Sequence, residues 1–159
     1  FSIPDNLTEL LVKILRFTEL RRAVLYQNMH NTRTVGYVPQ DMPVLEFVHA
    51  LNGAIAEHLQ NQRLLFCDTE NIQFGPNSTM AVRPQPDPQA KALLEQNRDE
   101  YIEFQVGKLL ENSLNRKIAK ELLALKCGTP WSLTGLPIAE IAAPDSPFED
   151  SSTPRETTD

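Results

Sequence analysis

Residues 7–31 read LTELLVKILRFTELRRAVLYQNMHN, and this stretch decides the fold. Leu7, Leu10, Leu11, Ile14, Phe17, Val24 and Leu25 recur at helical spacing, which lines them up on one face of a helix. No proline or glycine interrupts the run until Gly36. Just ahead of it, Asn6 is expected to cap the helix, with Glu9 placed to return a hydrogen bond in a capping box. The spacing predicts a first helix over 7–31. Its stripe carries Arg21, Asn28 and Asn31 where apolar residues would fit, so these polar groups need partners of their own.

Downstream, Gly36 permits a positive φ and Pro39 biases Val38 toward extended geometry, so residues 32–39 read as a turn leading into extended chain. Asp41-Met42-Pro43 then reads as a second N-cap with proline in the first turn. Val44, Leu45, Phe47, Val48, Leu51, Ile55 and Leu59 predict a second helix from Pro43 to about Leu65. Gly53 within it costs about 1 kcal/mol relative to alanine. Residues 67–89 change character. Asn71–Phe74 and Met80–Val82 are short strand-like runs around Gly75-Pro76-Asn77, expected to form a linker or small hairpin. Its few apolar residues do not offset the entropy of ordering it, so it is expected to be mobile until a partner covers it.

Asp87 or Pro88 opens the last helical run, in which Leu94, Tyr101, Ile102, Val106, Leu109, Leu110, Leu114, Ile118, Leu122 and Leu125 keep helical spacing to Lys126. At about 35 residues it spans about 50 Å, more than a compact domain of this size needs. The expected fold is therefore mainly α. Long N- and C-terminal helices pair as a coiled-coil-like bundle, with a middle helix and a short irregular or β-like middle segment, over residues 1–126. Residues 127–159 are rich in proline and acidic at the end, a composition expected to be disordered, with Trp131–Ile141 as a docking patch.

Composition narrows the function. Fifteen Lys and Arg against 21 Asp and Glu give a formal charge of −6 with no basic run, which argues against nucleic acid and anionic membranes as partners. No apolar stretch is long enough to insert in a membrane, and residues 1–6 lack the basic-then-apolar pattern of a Sec signal. His30, His49 and His58 have no metal-ligand spacing, and Cys67 and Cys127 read as ordinary thiols. Cys67 adjoins Asp68, a poor setting for a thiolate nucleophile. With no glycine-rich phosphate loop and no nucleophile elbow, no catalytic residue, cofactor or metal is expected.

The run from Ile14 to Leu25, followed by Asn28, Asn31, Thr34, Gly36, Tyr37 and the acidic Asp41, resembles the N-terminal signature of the bacterial flagellar proximal-rod protein family FlgB. The spacing from Asn97 to Tyr101 in the last helix is similar to that family's as well. Val35 stands where the family has proline, His30 where it has a small residue, and residues 127–159 run past its usual last helix. The resemblance implies a structural subunit of the flagellar basal-body rod, exported through the flagellar type III apparatus without a cleaved Sec signal. It would polymerise in the periplasm with its own copies and other rod and base proteins, FliE among them. Leu10, Ile14, Phe17, Val24, Val106, Leu110, Leu114 and Leu122 are the expected assembly surface. The competing expectation is a non-catalytic helical adaptor or regulatory module that binds one protein partner.

Overall fold

The computed structural model describes residues 5–76 and 79–128; of the tail expected over 127–159, Cys127 belongs to the last helix and Gly128 caps it, while residues 129–159, with the expected patch at 131–141, lie outside the described residues. Among them the chain is mainly helical, with four helices and two short antiparallel strand pairs. In order these are α1 (Asn6–His30), β1 (Gln40–Asp41), α2 (Val44–Asn61), β2 (Ile72–Phe74), β3 (Met80–Val82), β4 (Gln85–Pro86), α3 (Pro88–Gln96) and α4 (Arg98–Cys127).

α1 and α4 run antiparallel and form the spine. Asn28 meets Gln105, Asn112 donates to the Thr18 carbonyl, and Lys126 reaches Asp5 at the far end, so the register holds along the whole length. Buried Leu11, Thr18, Arg21, Leu25 and Asn28, with half-buried Ile14, step three and four residues along α1. Tyr101, Gln105, Lys108, Asn112 and Ala119 fall on the same seven-residue rhythm in α4. This is the 3.5-residue seam of a coiled coil, and it matches the coiled-coil-like pairing expected.

A second face of α1 builds the apolar core. Phe17, Val24, Met42, Phe47, Ile72 and Met80 form one buried cluster, with the Phe17 and Phe47 rings stacked at 4.0 Å. The β2–β3 hairpin pairs Ile72 with Val82 and Phe74 with Met80. Its Ile72 and Met80 enter that cluster, so the apolar cover that the sequence reading assigned to a second chain comes from α1 and α2. Lys13 is buried beside it, its ammonium 5.0 Å from the Phe66 ring and 5.7 Å from Phe74, a cation–π hold on the segment after α2.

Several boundaries differ from expectation for identifiable reasons. Asp5, not Asn6, caps α1 by accepting from the Thr8 amide, and Lys126 with that amide holds its carboxyl down to about 2. Asn6 instead donates to His58 Nδ1 and to the Gln62 carbonyl, tying the start of α1 to the end of α2. Pro43 itself sits at the N-cap of α2, and Asp41 is drawn away to ion pairs. α2 passes through Gly53 unbroken but stops at Asn61, because Gln62 turns to a left-handed φ of 58°. The long last helix is two helices: Asn97, at φ −150° and ψ 102°, ends α3 and caps α4 by accepting from the Asp99 and Glu100 amides. Gly128 at φ 74° closes α4, as its lack of a Cβ allows.

Phe17 and Val24 are thus core residues. Val24→Asp should prevent folding outright, and Phe17→Ala should cost about 3–5 kcal/mol, read as a lower midpoint in urea denaturation followed by circular dichroism.

Candidate assembly surface

Asn28 is fully buried and uses its whole side chain. Its Oδ1 accepts from the Gln40 amide (3.1 Å) and from the Tyr37 hydroxyl (2.8 Å). Its Nδ2 donates to the Gln40 carbonyl (2.6 Å) and to Gln105 Oε1 (3.1 Å). One carboxamide therefore meets both peptide groups of Gln40 as a neighbouring strand would, and no other residue of that length offers a donor and an acceptor side by side. The Tyr101 hydroxyl donates to the Asn28 carbonyl from α4. Burial pushes the Tyr101 phenol up to about 12 and raises Tyr37 too, so both stay protonated as donors.

One turn along the seam, Asp41 accepts from Arg21 Nε (3.0 Å) and Nη2 (3.2 Å) and from Lys108 (2.7 Å). Lys108 also donates to Asp87, the N-cap of α3 (2.6 Å). Four elements are tied together here: α1, β1, the start of α3 and α4. Burial alone would raise the Asp41 carboxyl, but Arg21 and Lys108 outweigh it and hold it below the ordinary value.

The other motif residues build the turn that delivers Gln40 and Asp41. Asn31 donates to the Gln27 carbonyl and accepts from the Thr34 hydroxyl. Gly36 takes φ 76°, and Val35 stands fully exposed at the tip. Asn28, Tyr37 and Asp41 converge on the α1–α4 seam, while Asn31, Thr34 and Gly36 shape the approach to it. Gln40, Gln105 and Lys108 were missed by sequence reasoning; the polar residues on a seven-residue rhythm opposite Asn28 and Arg21 were the available signal.

With polar and small residues turned inward, α4 carries its apolar residues outward. Val106, Leu110, Leu114, Ile118, Leu122 and Leu125 are between 40% and 76% exposed, the first five at steps of four along one inclined ridge. The eight residues expected to form the assembly surface therefore separate. Val106, Leu110, Leu114 and Leu122 are exposed on α4, Leu10 and Ile14 are half-buried, and Phe17 and Val24 lie inside the chain's own core. Ile118 and Leu122 border a groove of about 250 Å³ whose other walls include Ile14, Phe17, Val48 and Leu51.

Cys67 and Cys127 are both free and exposed. Among the described residues no three His, Cys, Asp or Glu gather as a metal site, and no helix is long and apolar enough to cross a membrane. Comparison with family models, with curated proteins and with solved structures finds no match for this chain.

Asp41→Asn should cost about 1–3 kcal/mol, because buried Arg21 and half-buried Lys108 lose their shared charge and keep only Glu111 and Asp87 as partners. Since the folded carboxyl titrates below the unfolded one, its contribution is complete above about pH 4 and fades as pH falls through the lower folded value. Urea denaturation from pH 7 to pH 2 should give a shallower acid loss for Asp41→Asn than for the native chain.

Proposed function

We propose that this chain is a non-enzymatic structural subunit of the bacterial flagellar basal-body rod, assembling in the periplasm with its own copies and with other rod and base proteins. The observation that carries the reading is the uncovered apolar ridge of α4, from Val106 to Leu125. An ordinary surface helix turns its polar side to water; here the polar side is spent on α1 and the apolar side is left over. Contiguous apolar surface of this kind marks a protein interface. Covering it would gain about 1.5–3 kcal/mol for each leucine fully buried. A ridge stepping by four residues packs into the groove of another helix, so the expected cover is an amphipathic helix from a neighbouring subunit.

What supports the rod in particular is where the motif residues act. Asn28, Tyr37 and Asp41 are among those that resemble the rod family, and Asn28 and Asp41, through Gln105 and Lys108, also fix the antiparallel register that turns the ridge outward. A subunit built to stack requires that rigidity, since a slipping spine would present no constant surface to its neighbour.

Leu114→Asp should leave stability within about 0.5 kcal/mol of native, because the side chain is exposed, yet abolish incorporation into basal bodies. Sedimentation with rod and base proteins checks the same point in solution. Normal incorporation of a folded Leu114→Asp chain contradicts the reading. A native chain that stays monomeric at every concentration, and ignores rod components, favours the adaptor module instead.

A further inference from the structure

We propose that a cleft between α1 and α4 is a binding site for a small phosphate-type oxyanion. The cleft, of about 260 Å³, is lined by Arg22 and Tyr26 from α1 and by Ser113, Arg116, Lys117 and Lys120 from α4, with Asn112 at its edge. Four cations meet there and no lining residue is acidic, on a chain whose formal charge is −6. Arg116, Lys117 and Lys120 lie close together on α4, and the antiparallel pairing adds Arg22 from α1.

The local chemistry favours an anion. Arg22 lies over the Tyr26 ring at 5.3 Å, which holds its planar guanidinium against the cleft wall. The Arg116 Nε is buried and has no hydrogen-bond partner among the described residues. With Glu19 no nearer than 3.9 Å, the charge of this guanidinium is under-compensated, and an anion held against its exposed nitrogens in the cleft supplies the missing partner. The flanking acids do little: Glu19 stands 3.9 Å from Arg116 and Glu121 stands 4.0 Å from Lys117, both at the limit of an ion pair and half exposed. Arg116 and Lys120 are like charges at i and i+4, a repulsion that a bound anion relieves.

Size and donor type set the ligand class. The volume is below that of a typical drug-sized pocket and suits one or two phosphate groups. Guanidinium forks, ammonium groups and the Ser113 hydroxyl are phosphate donors. The same phosphate chemistry is offered by a free ion and by an anionic lipid headgroup; a cleft of this size takes the free ion.

Isothermal titration of the full chain with inorganic phosphate and with pyrophosphate, at constant ionic strength held with chloride, tests this. The expected result is saturable one-to-one binding, tighter for pyrophosphate. It should weaken at least about tenfold in Arg116→Gln/Lys120→Gln, whose helicity is checked by circular dichroism. Arg22→Gln, on the exposed side of α1, should weaken it as well and serves if the double variant does not fold. Lys91→Gln on α3 should bind as native. Non-saturating heats, binding unchanged in the cleft variants, or binding only to phosphatidylglycerol vesicles would overturn the proposal.

Discussion

The fold depends on an inversion of the usual helix pairing: α1 and α4 meet through a seam that is polar at its most buried points. Asn28, Arg21, Gln105, Lys108 and Asn112 occupy positions that leucines fill in an ordinary coiled coil. Desolvating such groups is unfavourable unless each finds a partner, and nearly every one does. Gln105 Nε2 is an exception, buried with no partner among the described residues. What the polar seam supplies is uniqueness. Apolar seams tolerate sliding by a turn, whereas Asn28 fits only opposite Gln40 and Gln105, and Asp41 only between Arg21 and Lys108.

That uniqueness has a consequence on the opposite side of α4. A helix has one circumference to divide between its faces, and the inner share here has gone to Tyr101, Gln105, Lys108, Asn112 and Ala119. The apolar residues that make α4 a recognisable helix are displaced to the outside, where α2 covers them only partly along the groove at Ile118 and Leu122. The core holds together without them, because Phe17 and Phe47 stack over the hairpin's Ile72 and Met80. Folding of one chain thus uses one set of apolar residues and leaves another set exposed on α4.

The division explains what could be read from the sequence. Helical spacing located α1 and α2, and Gly36 and Gly128 marked real turns with positive φ. The strand-like runs at 72–74 and 80–82 paired as a hairpin. Apolar spacing alone does not tell one face from another: the expected assembly surface grouped Phe17 and Val24 with Leu110 and Leu114, although the first two face the core and the last two face water. The break at Asn97 escaped notice because the apolar spacing continues across it, and only the Asn97 side chain capping two amides reveals it. Asp41 was read as a cap from its place before Pro43, but tertiary attraction to Arg21 and Lys108 is stronger than a local cap.

The central claim is that α4 keeps its apolar ridge uncovered in the single chain and loses it to a neighbour on assembly. Carbene footprinting with residue-level mass spectrometry reads this directly at Leu110, Leu114 and Leu122, in the isolated chain and after mixing with the proposed rod and base proteins. Strong labelling of all three in the isolated chain, with protection after assembly, is the predicted result. Protection already present in the isolated chain, or labelling unchanged after assembly, would contradict it.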